Sequence, residues 1–480
     1  MRKPREPRLP KGINREVIKD LLRQVCSSAF GGQVKRISDY TLVSLSPYNK
    51  KSYVYDVTGL NYEGDSHIRM PGHLLLKVYR GDGPDYIKEK CSREFIVEKT
   101  MLALSGLKVN FGSRPVKVYP ECYSTSVSDC DKRLTIVREF IEEPSLQEFV
   151  LEQQKNKTLV KWEEIKTTLE TICLLHSQGS WVAQFKEGGL GIQIPKRTPD
   201  YVASNIIKHL SCLYFSATGQ EIDSDKKAEI GKLVSAVAKD YLFREEKDLV
   251  KVINGDLGVC PHHATKNILL DAGGTCIGPI TDDLALYTDT IFEGVLDSKG
   301  MPMRLLDRIN ATVEDYLNYK GSIEERLGQQ NGNGIRINRE EFLTSLLISS
   351  SLLSIRAASS VLTHYVPNSR GFHFTRIFSK GVGDTPSWIP KNSSFKREDA
   401  EKEVRGYLSN LFCLLDIIKS EDKRFDNLDE LLKGLSLNSP FVINKGINAR
   451  LLNGSGVVDS RENPRANLVQ TPEENSEPAA

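Results

Sequence analysis

Apolar positions along the chain follow two patterns in succession. Near the N-terminus they recur at helical spacing, which predicts a helix over residues 14–30. Three apolar runs bounded by polar turns follow, at residues 40–45, 52–57 and 73–79, and predict strands. A helical pattern returns over residues 85–104. The first part of the chain is therefore expected to place a small sheet between helices.

The remainder of the chain is mainly helical in pattern. A strand is predicted over residues 133–141, and a helix opens at Pro144 and reaches about residue 153. A short strand is predicted at 249–253. Further helices are predicted at residues 161–177, 200–215, 225–243, 301–326, 339–366 and 398–420. The last residues, 453–480, are polar and contain Pro, so disorder is expected there.

Oxygen-bearing side chains flank three short apolar runs between residues 252 and 283. Asp256 comes after the first, Asn267 directly before the second, and Asp282 with Asp283 after the third. Transfer of a phosphoryl group needs a carboxylate to orient the attacking hydroxyl and hard oxygen ligands to hold Mg²⁺. Asp256 suits the first role, and Asn267 with Asp282 suits the second. Asp and Asn are also common turn and cap residues, so the series has a structural interpretation too.

A turn sequence separates the last two apolar runs. Residues 271–274 read Asp-Ala-Gly-Gly, which is typical of a hairpin turn. We therefore expect residues 266–270 to pair with residues 275–280. That hairpin would bring Asn267 and Asp282 side by side at its open end.

This segment resembles the catalytic and metal-binding loops of the aminoglycoside phosphotransferase and choline kinase family, small-molecule relatives of the protein kinases. Asn254-Gly255-Asp256 stands where the family has His-Gly-Asp, and residues 265–269 match its metal-binding end. The sequence departs from the family at the leading His and in spacing. Eleven positions rather than five separate Asp256 from Asn267, so about six extra residues lie near 258–264.

The resemblance implies an α+β, two-lobed protein-kinase-like fold. The small antiparallel sheet would lie in an N-terminal lobe, residues 14–140, behind a disordered basic arm at 1–13. Residues 141–440 would form a large, mainly helical C-terminal lobe with the catalytic loop and the substrate site. The implied reaction transfers the γ-phosphoryl of ATP, with Mg²⁺, to a hydroxyl of a small molecule. Asp256 would be the base.

A lysine interrupts the third apolar strand. Burying the Lys77 ammonium within that strand costs roughly several kcal/mol unless a carboxylate or phosphate pairs with it. The resemblance implies that Lys77 contacts the nucleotide phosphates and is held by a glutamate of the next helix. Glu94 fits that role best and Glu98 is the alternative. A lysine on an edge strand, pointing to solvent, is the structural interpretation.

Two further segments are expected to contact the nucleotide. Backbone amides of the first hairpin turn, around Ser46 and Asn49, lie where such enzymes cover the phosphates. The strand ending Glu139-Phe140-Ile141 resembles the hinge of the family, whose backbone hydrogen-bonds the nucleotide base. A polar turn and a strand–turn–helix are both common in other folds.

Composition narrows the class of protein. The chain of 480 residues has 65 basic and 63 acidic residues, so its overall charge favours neither nucleic acid nor a membrane surface as partner. Nine scattered cysteines and the lack of an apolar leader indicate a reduced, cytoplasmic location. The serine-containing apolar stretch at 342–362 reads as a buried helix. The inserted Cys260-Pro261-His262-His263 could hold zinc or shape the substrate entrance.

Two other functions stay open at this point. Asn254 and the loop insertion are compatible with a catalytically silent nucleotide-binding or scaffold protein on the same fold. A protein kinase is disfavoured, because about sixty residues with helical pattern precede the catalytic strand and no Gly-rich loop is present. The sequence does not indicate the acceptor, the oligomeric state, the choice of ATP or GTP, or whether Asp282 or Asp283 faces the metal.

Overall fold

The computed structural model describes most of the chain. The described residues are 9, 13–30, 32–45, 52–65, 71–79, 108–111, 114–128, 133–156, 158–190, 194–218, 220–255, 264–270, 274–290, 295–326, 337–368, 371–374 and 397–435. Four predicted site residues lie outside these ranges, namely Ser46, Asn49, Glu94 and Asp256. The Cys260–His263 insertion and the predicted helix at 85–104 also lie outside them.

The first part of the chain is a helix packed on an antiparallel sheet. Helix α1 is capped by the Asn14 side chain, which accepts from the Val17 amide. The five-stranded sheet has the order β1-β2-β3-β7-β6, and β4 and β5 form a separate pair. The bounds are α1 Arg15–Ala29, β1 Val34–Ser44, β2 Ser52–Gly64, β3 His73–Tyr79, β4 Lys108–Phe111, β5 Arg114–Lys117, β6 Cys122–Ser128 and β7 Arg133–Glu139.

Strict alternation along β3 explains how this sheet packs. Leu74, Leu76 and Val78 are fully buried and share an apolar cluster with Ile18 and Leu22 of α1. Alternate residues of β3 point to the opposite face of the sheet. The predicted helix and three strands are confirmed, although β1 begins before the predicted run and β2 extends beyond its own.

Helices form most of the second part, as predicted, and the α+β class is confirmed. Its elements are α2 Leu146–Lys155, α3 Trp162–Ile165, α4 Thr167–Leu190, α5 Pro199–Thr218, α6 Ser224–Val237, β8 Val250–Ile253, β9 Cys276–Pro279, α7 Ile280–Thr290, α8 Leu305–Arg326, α9 Arg339–His364, β10 Tyr365–Asn368, β11 Gly371–Phe374, α10 Arg397–Ile418 and α11 Lys423–Lys433. Two differences from the prediction are that α4 continues through the Gly-containing stretch after residue 177, and that α11 and α7 were not predicted.

The predicted hairpin of residues 266–270 with 275–280 is wrong. Strand β9 pairs instead with β8, with Ile253 opposite Cys276. The backbone between Thr265 and Asn267 is bound by hydroxyl groups of α4, so it is held against that helix rather than against β9. A turn sequence sets only a local reversal, and long-range packing chose the partner strand.

Helix α9 runs through the centre of the helical part. Its segment Arg339–Ser359 is long and apolar enough to cross a membrane, yet 78% of that window is buried within the protein. Three of its serines, Ser345, Ser351 and Ser354, donate from Oγ to the carbonyl four residues earlier in the helix. The interpretation as a buried core helix is confirmed.

Candidate active site

Lys77 lies in the middle strand of the sheet. Strand β3 is flanked by β2 and β7, with Val54 and Ile136 opposite Lys77. Its side chain is half-buried on the face turned away from α1. The alternative of an edge-strand lysine is therefore wrong, because both neighbouring positions are occupied by strands. A cation on this face favours a nearby anionic partner.

The end of β7 and the segment after it carry the predicted hinge residues. The Glu139 carboxylate accepts from Lys117 Nζ at 2.7 and 2.5 Å and from the Glu121 amide at 3.0 Å, and the Glu139 amide donates to the Glu121 carbonyl at 2.8 Å. These bonds make Glu139 a structural residue of the sheet. The remaining candidates for contact with a nucleotide base are the backbone groups of Phe140 and Ile141.

Phe140 is positioned by aromatic stacking. Its ring lies 5.4 Å from the ring of His73, centroid to centroid, at an interplanar angle of 28°. The His73 Nδ1 atom lies 3.1 Å from both oxygens of Asp56, a nearly buried carboxylate of β2. The start of the connecting segment is thereby attached to two strands of the sheet.

Arg138 joins the sheet to the segment that carries Asn267. Its Nη1 donates to the Leu270 carbonyl at 2.6 Å, and the Leu269 amide donates to the Val118 carbonyl at 2.9 Å. Arg138 lies opposite Leu75 and so faces the same side of the sheet as Lys77. Hydrogen bonds thus connect the sheet-containing first part of the protein to the mainly helical second part.

Asn254 and Gly255 follow strand β8 and form the turn that leads into Asp256. The buried Asn254 side chain donates from Nδ2 to the Tyr119 hydroxyl at 2.9 Å. Gly255 has φ of +70°, and a Cβ there would lie 2.6 Å from the Gly274 carbonyl oxygen. The position therefore requires glycine, for reasons of conformation and of space.

The Asp283 carboxylate anchors this turn through two backbone amides. Its Oδ2 accepts from the Asn254 amide and its Oδ1 from the Gly255 amide, each at 2.7 Å. The carboxylate is fully buried, and His176 Nε2 lies 3.2 Å from Oδ2. Because both oxygens already accept backbone N–H groups, Asp283 serves as a structural anchor rather than as a metal ligand.

His176 is a buried residue close to the end of the helix predicted over residues 161–177. Helix α4 continues to Leu190, which places His176 in its interior. One ring nitrogen lies 3.2 Å from the Asp283 carboxylate and the other 3.0 Å from the Tyr316 hydroxyl. His176 thus orients Asp283 and indirectly the turn before Asp256.

Asp282 points to a different partner from its neighbour. Arg197 Nη1 donates to Asp282 Oδ2 at 2.8 Å, and Arg197 Nη2 donates to the Gly255 carbonyl at 3.0 Å. The two side chains are 15% and 18% exposed. Burial raises the pKa of the Asp282 carboxyl, while the positive charges of Arg197 and Arg356 oppose that rise.

Asn267 lies on the segment bound to α4. Thr171 Oγ1 donates to its carbonyl at 3.0 Å, and its own amide donates to Thr265 Oγ1 at 3.1 Å. The Asn267 side chain donates from Nδ2 to both oxygens of Glu143, at 3.0 and 3.2 Å. A side-chain amide beside a carboxylate offers the oxygen donors that hard cations prefer.

The two predicted metal ligands do not fit a shared Mg²⁺ site as they are placed. Asn267 has suitable chemistry, but Asp282 is already paired with a guanidinium, whose positive charge opposes a second cation. Among the described residues, no cluster of three or more His, Cys, Asp or Glu side chains could hold a metal ion. Binding through Asp282 would require its ion pair with Arg197 to open.

A pocket lies directly beside the turn that leads to Asp256. Its polar lining is Arg197, Tyr201, Asn205, Asp282, Ser349 and Arg356, and its apolar lining comes from α5, α7 and α9. Arg197 is shared between this pocket and the Gly255 carbonyl. A group bound in the pocket would therefore lie close to the turn that leads into the predicted catalytic loop.

Sequence reasoning missed most of the residues that shape this site. Arg197, Tyr119 and Arg356 lie in segments whose local pattern indicates only a loop, a strand end and a core helix. Arg356 carried one usable signal, since a charged residue inside an apolar helix requires an explanation. The roles of the others depend on contacts across more than fifty positions of the chain.

Comparison with known proteins gives structural similarity alone. No family model matches the chain, and no curated protein matches its sequence. Among solved structures, a choline kinase from Cryptosporidium parvum Iowa II is 12% identical with a TM-score of 0.45, covering 88% of this chain and 100% of that chain. An aminoglycoside 2′-phosphotransferase in its GDP complex is 11% identical, with a TM-score of 0.39 and coverages of 82% and 99%.

A microcompartment-associated aminopropanol kinase is also similar, at 12% identity and a TM-score of 0.39, covering 87% of this chain and 99% of that chain. These proteins are small-molecule kinases by name, which is the class that the sequence resembles. At TM-scores of 0.39–0.45, activity and substrate have to be inferred from the residues of this chain.

Proposed function

We propose that the chain is a small-molecule phosphotransferase, which transfers the terminal phosphoryl group of ATP to a hydroxyl group. The observation that carries the proposal is the anchored turn before Asp256. Asp283 binds the amides of Asn254 and Gly255, and Arg197 binds the Gly255 carbonyl. Phosphoryl transfer depends chiefly on positioning, so a base on a turn held from two sides is suited to it.

The residues of this chain then divide between nucleotide and acceptor. Lys77 neutralises phosphate charge from its face of the sheet, with Glu94 behind it. The backbone of Phe140 and Ile141 contacts the nucleotide base. Asn267 is the described residue whose oxygen best suits Mg²⁺, which would neutralise phosphate charge when bound. Asp256 orients the acceptor hydroxyl and takes its proton. Ser46 and Asn49 keep their predicted role at the phosphates.

The test separates nucleotide binding from transfer. Thermal stabilisation by Mg²⁺ with ATP or GTP is measured for the wild type, Lys77→Met and Asp256→Asn, together with ADP release over a panel of hydroxyl compounds. Lys77→Met should lose the stabilisation, because the variant has no ammonium group to neutralise the phosphates. Asp256→Asn should keep it and lose turnover by at least about a hundredfold.

The matched control for the sheet is Lys35→Met, which makes the same change at an exposed position of the edge strand β1. It should bind nucleotide as the wild type does. Normal turnover by Asp256→Asn, or unchanged nucleotide binding by Lys77→Met, would show that these roles are wrongly assigned.

A second candidate is a protein that binds nucleotide without transferring phosphate. The Arg197–Asp282 ion pair favours it, because it engages the carboxylate predicted for the metal. Asn254 in place of the family's His agrees with it. Stabilisation by ATP without ADP release on any compound of the panel would support this candidate.

A further inference from the structure

Arg138 places a guanidinium on the face of the sheet that Lys77 also occupies. It lies opposite Leu75 on strand β3, on the side turned away from α1. Among the described residues, the hydrogen bond from its Nη1 to the Leu270 carbonyl, at 2.6 Å, is its one polar contact. A guanidinium has five N–H donors and no acceptor, so most of its hydrogen-bonding capacity is left for a ligand.

The Nε atom of Arg138 shows most clearly where a partner belongs. This atom is buried, and no acceptor in the described part of the chain bonds to it. A buried donor without an acceptor is unfavourable. Arg138 as a whole is only partly buried, so a molecule bound beneath the sheet can contact the guanidinium edge that carries Nε and Nη2. An acceptor atom of that molecule would supply the hydrogen bond that Nε lacks.

Arg138 lies on the base side of the proposed nucleotide site. Along the chain it comes two residues before Phe140, whose backbone is a candidate for contact with the base. Lys77, which is proposed for the phosphates, lies opposite the residue of β7 that is two positions further from the hinge. The bond to Leu270 reaches the segment that carries Asn267, so Arg138 spans the back of the cleft.

Purine bases differ in hydrogen-bonding character at their 6-position. Guanine has an oxygen there, which accepts a hydrogen bond, whereas adenine has an amino group, which donates one. A guanidinium only donates, so it can bond to the guanine oxygen but opposes the amino group of adenine donor to donor. This preference depends on the direction of the hydrogen bonds and not on the net charge of the cleft.

We infer that Arg138 selects the base of the phosphoryl donor and favours a purine with an oxygen at the 6-position, as in GTP. The inference rests on the proposed function and refines its donor from ATP to GTP, while the transfer of the terminal phosphoryl group to a hydroxyl is unchanged. Nη1 keeps its bond to the Leu270 carbonyl, and the edge with Nε and Nη2 donates to the base.

The experiment compares four triphosphates that differ only in the base. These are ATP, GTP, ITP and the triphosphate of 2,6-diaminopurine riboside. ITP has the 6-oxygen without a 2-amino group, and the diaminopurine has both amino groups without the oxygen. Binding of each to the full chain with Mg²⁺ is measured by calorimetry, without any acceptor compound. We expect GTP and ITP to bind at least about fivefold more tightly than the other two.

Two variants connect the preference to Arg138. In Arg138→Gln the side-chain amide can accept from the 6-amino group of adenine and donate to the neighbouring ring nitrogen, so the preference should reverse towards ATP. In Arg138→Met the GTP and ATP affinities should become equal. Each ratio is taken within one protein, so a general loss of stability cancels. Arg36→Gln makes the same change at an exposed position of the edge strand β1 and should keep the wild-type ratio.

Several results would overturn the inference and leave the proposed function standing. These are equal binding of all four triphosphates by the wild type, tighter binding of ATP, or a preference shared by GTP and the diaminopurine, which would assign selection to the 2-amino group. An unchanged ratio in both Arg138 variants would also overturn it. Equal weakening of all four by Arg138→Met would place the guanidinium at the phosphates. If none of the four bound, the proposed function and this inference would both be wrong.

Discussion

The Arg197 guanidinium lies 2.8 Å from the Asp282 carboxylate and 3.0 Å from the Gly255 carbonyl oxygen. One residue of a loop thus neutralises a nearly buried acid and holds the backbone that leads into Asp256. Breaking a buried pair from one side leaves an uncompensated charge, which is costly. The pair therefore couples the stability of the protein to the position of the turn that leads into Asp256.

Removing the guanidinium should destabilise the protein in a pH-dependent way. In Arg197→Met the Asp282 pKa should rise further, because burial raises it and Arg197 opposes that rise in the wild type. The native state then holds a proton that the unfolded chain releases near pH 4, so stability falls as pH rises. We expect a loss of about 2–4 kcal/mol at pH 7 and a smaller loss near pH 4.5, by urea unfolding.

The double variant Arg197→Met with Asp282→Asn is the control for that mechanism. Neither substituted position then carries a charge, so most of the stability at pH 7 should return and the pH dependence should disappear. A deficit of equal size at both pH values in the single variant would show that Asp282 is not left charged.

Asp283→Asn should be severe although it changes one atom. The carboxylate accepts two backbone amides at 2.7 Å, whereas an Asn side chain offers one acceptor oxygen and turns an NH₂ group towards the second amide. We expect about 2–4 kcal/mol lower stability and loss of turnover, measured by denaturation and ADP release. Asp20→Asn on the exposed face of α1 should change neither.

Tyr119→Phe tests how Asn254 is held. The Tyr119 hydroxyl accepts from Nδ2 of the Asn254 side chain at 2.9 Å in a fully buried setting. Removing it should lower the free energy of unfolding by about 1–2 kcal/mol, since a buried donor loses its acceptor. Turnover should fall with nucleotide binding unchanged, because the turn before Asp256 loses one restraint. Unchanged stability and turnover would show that the bond is not used.

Native cysteines should differ sharply in reactivity. Burial raises the pKa of Cys26 and of Cys173 to about 12, so neither forms appreciable thiolate at pH 8. Cys413 on α10 is exposed. Brief treatment of the folded protein with iodoacetamide, followed by peptide mass spectrometry, should therefore modify Cys413 and spare the other two. Early modification of Cys26 would show that the packing of α1 on the sheet opens readily.

The sequence by itself determined the first helix, the strands β1 to β3 and most of the later helices, but not α7, α11 or the end of α4. The apolar run at His73–Tyr79 predicted a strand, and helical spacing predicted most of the second part, because both signals are local patterns of the chain. The strand that continues from Gly274 was a different matter. Its turn was visible in the sequence, but its pairing with β8 was decided by packing.

Only the tertiary structure decided what the acidic pair does. Asp282 and Asp283 are neighbours in one apolar-to-acidic pattern, yet the first meets Arg197 and the second meets the amides of Asn254 and Gly255. Successive helix residues point about 100° apart, so adjacent carboxylates reach different surroundings. Their partners lie tens of positions away along the chain. Arg356 of α9 lines the same pocket as Asp282, and no local sequence pattern specifies these contacts.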